Sequence, residues 1–215
     1  MTLVAPSMLS ADFLHLDKDV EMVDKYADIF HLDIMDGVFV PNISYGFPVV
    51  EAIARKATKL MDAHLMIVHP EKYVERFAKV GVGMLSAHLE VMEKPSKVMA
   101  QIRFHNMKAG IAFNPDVPVE SVFPYLDECD FVLVMSVFAG FGGQKFIEST
   151  YGRVRTLKEE ILRRGLDVKI EVDGGVSPAN AADLRDAGAD ILVAGSAVFK
   201  AQNPSDVISQ LKGVR

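Results

Sequence analysis

Short apolar runs recur along this chain, each followed by a stretch with helical spacing. The runs lie at Leu3–Met8, Ile29–Met35, Lys59–Met66, Met84–Glu90, Lys108–Phe113, Phe131–Val137, Val168–Asp173 and Ile191–Gly195. They are rich in Val, Ile, Leu and Met, the pattern of parallel strands buried on both faces. Between them, Asp17–Tyr26, Tyr151–Arg164 and Pro178–Ala187 read as helices, with acidic residues early or basic residues late, and Gly165 and Gly188 follow as stop signals. Strand then helix, repeated about eight times with no linker or low-complexity segment, predicts a single (β/α)₈ TIM barrel over residues 1–215. A doubly wound open sheet is the alternative, because periodicity alone does not show closure.

The polar exceptions to this pattern favour the barrel. His31 and Asp33 sit two apart in one strand run and therefore point to the same face. His64 in Asp62-Ala63-His64-Leu65-Met66 and Asp173 in Glu171-Val172-Asp173-Gly174-Gly175 occupy the same kind of place, at the ends of apolar runs. A barrel brings all of its strand ends around one mouth, whereas an open sheet would spread them along a crevice. Two imidazoles and two carboxylates at one rim make a nitrogen/oxygen site for a divalent transition metal. The plainer reading, core histidines and strand-end aspartates, suits a lone residue better than four together.

Composition narrows the classes. Half of the 215 residues are hydrophobic, enough for one good core. The formal net charge of −6, with no basic block, argues against a nucleic-acid partner. Met1-Thr2-Leu3-Val4-Ala5-Pro6 has neither a basic region nor a long apolar region, so no signal peptide is read there, and no apolar run is long enough to span a bilayer. The one cysteine, Cys129, excludes an internal disulfide and reads as a partly buried structural thiol. These features predict a cytoplasmic protein without a membrane partner. Apolar positions on the outer helix faces suit a homo-oligomer, a dimer or larger.

Three further groups of residues qualify the picture. Gly140-Phe141-Gly142-Gly143-Gln144, Gly174-Gly175 and Gly195-Ser196 follow the last three strand runs. Glycine lets backbone N–H groups approach a ligand closely, and barrels often hold phosphate at these loops, so a small phosphorylated substrate is expected. Met35, Met66 and Met135 end their strand runs, and the residues alone read them as core filler. His88 and Glu90 share a strand face as either a polar wall of the pocket or a satisfied ion pair, and the structural reading is preferred.

At these residues the chain resembles the ribulose-phosphate 3-epimerases. The resemblance runs essentially end to end, through Pro6-Ser7-Met8-Leu9-Ser10-Ala11-Asp12-Phe13, His31-Leu32-Asp33-Ile34-Met35-Asp36-Gly37-Val38-Phe39-Val40-Pro41-Asn42 and Asp62-Ala63-His64-Leu65-Met66. It continues through Gly140-Phe141-Gly142-Gly143-Gln144, Glu171-Val172-Asp173-Gly174-Gly175-Val176 and Ala194-Gly195-Ser196-Ala197-Val198-Phe199. It implies a barrel of the ribulose-phosphate-binding type that interconverts D-ribulose 5-phosphate and D-xylulose 5-phosphate in the pentose phosphate pathway. It also implies one divalent ion per subunit, zinc or iron(II), with manganese or cobalt as substitutes. Carried over residue by residue, the family pattern makes His31, Asp33, His64 and Asp173 metal ligands and Asp33 and Asp173 the acid–base pair. Ser7 becomes a substrate contact, His64 adjoins the substrate, and Met35, Met66 and Met135 become pocket-lining residues rather than core filler. One departure stands out: the family usually has Asn-Pro before the Gly-Phe-Gly-Gly turn, and this chain has Phe138-Ala139.

The reaction so implied needs two proton carriers with split pKa values and a stabilised enediolate. Loops at 38–42 and 138–145 are expected to exclude water from it. The rival readings are a 3-epimerase of a related ketose phosphate such as allulose 6-phosphate, a metal-free phosphate-binding barrel such as a decarboxylase or synthase, and a ligand-binding barrel without turnover.

Overall fold

The computed structural model describes residues 2–213. Eight strands are present: β1 (Leu3–Pro6), β2 (Ile29–Met35), β3 (Leu60–Met66), β4 (Met84–His88), β5 (Lys108–Phe113), β6 (Phe131–Met135), β7 (Lys169–Asp173) and β8 (Ile191–Ala194). All pair in parallel, in the order β1-β8-β7-β6-β5-β4-β3-β2. A parallel bridge between Ser7 and His31 joins β1 to β2 and brings the sheet round on itself. At the base of that seam, Asp28 N donates to Val4 O at 3.1 Å, and Val4 N donates to Asp28 Oδ2 at 2.9 Å. The barrel, rather than the open sheet, is the observed fold.

Helices α1 (Leu16–Tyr26), α2 (Phe47–Ala54), α3 (Val74–Val80), α4 (Pro95–Phe104), α5 (Thr150–Arg164), α6 (Ala181–Ala187), α7 (Ser196–Phe199) and α8 (Pro204–Lys212) connect and cover the strands. Two local readings change. The helix expected from Pro178 begins only at Ala181, because the Asn180 side chain accepts from Ser177 N and donates to Gly175 O, closing a turn first. Between β5 and β6 the connection is a 3₁₀ segment, Val119–Glu128, with Pro124 inside it; a proline there lacks the N–H that an α-helix needs.

Alternation along each strand divides the core in two. Phe30, Leu32 and Ile34 of β2, Ala63 and Leu65 of β3, and Ile170 and Val172 of β7 face outward and are buried in the large apolar layer shared with the helices. The inward positions form tiers. Ala5, Ile29, Met84, Phe131 and Ile191 cluster in the barrel interior. Above them come His31, Asp62, Ser86 and Glu171, all fully buried, and then the strand ends that carry Asp33, His64, His88 and Asp173. Gly110, on an inward position of β5, leaves room for the Phe131 ring, which a Cβ at that position would strike. Gly110→Ala is therefore expected to overpack the barrel and lower stability by about 1–3 kcal/mol, read as a lower urea midpoint with an unchanged m value.

Candidate active site

The pairing register sets the site. Asp33 of β2 lies opposite His64 of β3, Met35 opposite Met66, and Met135 of β6 opposite Asp173 of β7. Because side chains alternate at period two, the same register that buries the outer apolar faces aims these residues into the mouth. One ligand-type atom from each of His31, Asp33, His64 and Asp173 lies within 4.8 Å of the others. His64 Nδ1 stands 3.1 Å from Asp33 Oδ1, and His31 Nε2 stands 3.4 Å from the same oxygen. The other oxygen, Asp33 Oδ2, accepts from Ser7 Oγ at 2.5 Å across the seam.

Hydrogen bonding decides which nitrogen of His31 is free. Its Nδ1 lies 2.7 Å from Asp62 Oδ2, while its Nε2 is buried without a hydrogen-bond partner. A carboxylate on one ring nitrogen leaves the lone pair of the other exposed, the usual posture of a metal-binding histidine. This orphaned atom, with Asp33 Oδ1 and His64 Nδ1 beside it, fits a divalent cation, and two imidazoles with two carboxylates suit a borderline transition metal.

The electrostatics separate the two aspartates. Burial works to raise Asp33, but the His31 and His64 rings outweigh it and hold the carboxyl well below the usual range. Burial, reinforced by the Asp33 charge, pushes Asp173 up to about 7. Burial also pulls His64 down to about 4, and with the Asp62 charge it lifts Glu171 to about 8. His31 moves the other way: burial opposes its proton, but Asp33, Asp62 and Glu171 together raise it well above the ordinary imidazole value, so a cation bound at Nε2 would have to displace a proton there.

Above this floor the pocket is lined by Ser7, Asp33, Asp173, the methionines Met35, Met66 and Met135, and the loops Gly140–Gly143, Gly174–Gly175 and Gly195–Ser196. His31 and His64 are fully buried beneath that lining. Among the described residues, the N–H groups of Gly143, Gly175 and Gly195 have no hydrogen-bond partner within the chain. Gly175 has φ +61°, and a Cβ there would sit 2.7 Å from Phe146 N, so only glycine brings this backbone to the pocket edge.

The Phe138-Ala139 segment is held by the side chains of Asn114 and Gln144. Asn114 Oδ1 accepts from Ala139 N at 2.9 Å, and Gln144 Nε2 donates to Phe138 O at 2.7 Å and to Phe141 O at 2.8 Å. Asn42 Nδ2 donates to Gly140 O at 2.8 Å, tying the loop after β2 to the loop after β6.

Several supporting residues escaped the sequence reading. Asp62 and Glu171 have the spacing of His31 and Asp33, two positions before a site residue on the same strand, and that spacing was the available signal. Ser44 Oγ donates to Asp33 O at 2.6 Å and accepts from Met35 N at 3.0 Å, fixing the end of β2. Arg153 donates to Met135 O at 2.7 Å and Asn114 O at 2.8 Å, clamping the ends of β5 and β6. No local pattern distinguishes it from the other basic residues of α5. Glu90 lies in a 3₁₀ turn just past β4 rather than on the strand. Cys129 is buried as a structural thiol, its Sγ 3.1 Å from Tyr125 O and its pKa pushed up by burial to about 12.

Comparison with known proteins gives the chain's family. The family model described as the ribulose-phosphate 3 epimerase family matches residues 3–199. The chain is 47% identical over 215 residues to the ribulose-phosphate 3-epimerase of Synechocystis, covering 99% of this chain and 92% of that one. It is 42% identical over 215 residues to the enzyme of that name from Bacillus subtilis, covering 99% of each. Among solved structures, KGPDC from Streptococcus mutans superposes with a TM-score of 0.72 at 12% identity, covering 99% of this chain and 96% of that one. A 3-hexulose-6-phosphate synthase superposes with a TM-score of 0.72 at 16% identity over the whole of both chains. At those identities the structural likeness speaks to the barrel alone. No helix among the described residues is long and apolar enough to cross a membrane. With a family match along nearly its whole length, the chain belongs to the ribulose-phosphate 3-epimerase family, isomerases acting on carbohydrate phosphates.

Proposed function

We propose that the chain interconverts D-ribulose 5-phosphate and D-xylulose 5-phosphate by two-base proton transfer at C3, with Asp33 and Asp173 as the acid–base pair. The observation that carries this reading is the convergence of His31, Asp33, His64 and Asp173 at the floor of a pocket rimmed by glycine loops. The ionised carboxylate takes the C3 proton, the C3–H electron pair forms a C2–C3 double bond, and the C2 carbonyl oxygen takes the charge as a 2,3-enediolate. The protonated carboxyl gives its proton to C3 from the opposite face, and the two exchange roles in the reverse direction. The opposed shifts of Asp33 and Asp173 support one starting ionised and the other protonated, as a property of the coupled set.

His31, Asp33, His64 and Asp173 are the residues that would hold the metal, zinc or iron(II), with manganese or cobalt as substitutes. When bound, a divalent ion supplies Lewis-acid stabilisation for charge developing on the substrate oxygens. Ser7 contacts the substrate and orients Asp33. Met35, Met66 and Met135 wall the intermediate with thioethers, which offer it no protons. The loops at 38–42 and 138–145 exclude water. A homo-oligomer, dimer or larger, completes the reading and is tested by light scattering.

Backbone N–H groups of Gly143, Gly175, Gly195 and Ser196 bind the phosphate. Four such donors to a charged acceptor, at about 1.5 kcal/mol each, correspond to about 10⁴-fold in rate. Unphosphorylated D-ribulose is therefore expected to react with a kcat/KM lower by about that factor than its 5-phosphate, since remote binding orients the reacting carbon. Equal values would overturn the phosphate site.

The Phe138-Ala139 departure favours a second reading, a 3-epimerase of a longer ketose phosphate such as allulose 6-phosphate. Proton exchange from deuterated water into a panel of pentulose and hexulose phosphates separates the two. Label at C3 of the pentulose phosphates with the higher kcat/KM supports the first reading, and the reverse order supports the second.

A further inference from the structure

Behind His64 the barrel holds an imidazole and a carboxylate that proton transfer at C3 does not use. His64 Nε2 faces His88 Nε2 at 2.9 Å, and the two rings stack with centroids 5.1 Å apart and 23° between their planes. On its far side, His88 Nδ1 lies 3.4 Å from Glu90 Oε1. That oxygen also accepts from Asn114 N at 3.1 Å and Asn114 Nδ2 at 2.9 Å, which fixes the carboxylate in place. His88 is fully buried, with the Phe39 ring against it at 4.8 Å between centroids. Its ring nitrogens therefore look to these partners rather than to bulk water.

Two ring nitrogens that face each other at 2.9 Å form a hydrogen bond only if one carries a proton and the other does not. Two neutral rings between two carboxylates can satisfy this in two ways. In one, the protons lean toward Asp33: His64 carries Nδ1–H and His88 donates from Nε2. In the other they lean toward Glu90: His88 carries Nδ1–H, and His64 donates from Nε2 and leaves Nδ1 bare. Only the second arrangement offers a lone pair beside Asp33 Oδ1, 3.1 Å away.

We infer that Glu90 and His88 are positioning residues that hold the His64 proton on Nε2, so that Nδ1 is free to bind the cation. This inference rests on the metal reading of the site given above. The arrangement mirrors the other imidazole, where Asp62 occupies Nδ1 of His31 and leaves Nε2 free. Each ligand histidine then has its own acceptor behind it, one direct and one relayed through a second ring. Partners of this kind are commonly worth 10–100-fold in metal affinity.

The test is a cobalt(II) titration of demetallated full-length protein, followed by the visible absorption of the bound ion. His88→Phe keeps an aromatic ring but removes the acceptor and is expected to weaken cobalt binding about 10–100-fold. His88→Gln, whose amide oxygen can accept from His64, is expected to recover most of that loss. Glu90→Leu, outside the strand, is expected to weaken binding in the same direction without touching the packed rings. In zinc-loaded wild-type protein, imidazole ¹H–¹⁵N correlations should show the proton of His64 on Nε2 and that of His88 on Nδ1. Unchanged cobalt affinity in both His88→Phe and Glu90→Leu, or a His64 proton on Nδ1 in the zinc form, would overturn the positioning role alone. Failure of the wild-type protein to bind cobalt or zinc would overturn the metal reading itself, and this inference with it.

Discussion

Asp33→Asn and Asp173→Asn are each expected to abolish epimerisation, with kcat/KM falling by more than about 10⁴-fold. Loss of a general acid or base alone costs ~10²–10⁴. In the proposed metal site each substitution would also weaken a cation ligand, because an amide oxygen carries no full charge. The asparagines are close in volume to the aspartates, so both variants should fold, and their circular dichroism should match the wild type. Asp33→Asn also weakens the acceptor for Ser7 Oγ, which sits 2.5 Å away, so a modest drop in thermal midpoint should accompany it. Solvent isotope exchange sharpens the result: with either carboxylate gone, any residual deuterium uptake at C3 should be confined to the epimer whose proton faces the remaining carboxylate, without inversion. Near-normal turnover in either variant would remove that residue from the proton-transfer pair.

Removal of divalent metal has the next largest expected effect. Charge stabilisation worth several kcal/mol in the transition state corresponds to a fall of about 10³-fold or more. Prolonged chelation, verified by elemental analysis, should bring the rate down by that factor. Addition of zinc, iron(II), manganese or cobalt should restore it to different degrees. His31→Gln or His64→Gln should lower the affinity for added metal before lowering the rate at saturating metal. A fully demetallated protein that keeps its rate would leave the four residues as a carboxylate–imidazole network without a cation.

Much of this was written in the strand pattern. Apolar runs fixed by burial on both faces gave β2 and β5 their observed limits and placed the other strands within two residues at each end. The four candidate ligands were legible because a polar residue within such a run needs a polar partner in the barrel interior or at its mouth. What escaped was long-range or conformational. Asn114, Arg153 and Ser44 act on backbone groups far along the chain, and no local spacing marks that role. His88 and Glu90 looked like an isolated pair because His64, 24 residues earlier, is brought against His88 only by strand pairing. The start of α6 moved because one asparagine side chain satisfied two backbone groups locally, a contest that helix propensity does not register.

The seam between the first and second strands is also a mechanical joint. The eight-strand ladder has its two ends at β1 and β2, and a bridge from Ser7 to His31 closes it near the mouth. Ser7 stands on one side of that join, and His31 and Asp33 stand on the other. The floor of the candidate site is therefore also the clasp of the ring. A ligand gripping both sides works as a pin through the clasp, and it stabilises the closed barrel because the unfolded chain cannot hold it. Chemistry and closure thus share the same few atoms, so an opening of the ring at this point disassembles the site while the other strand pairings stay intact.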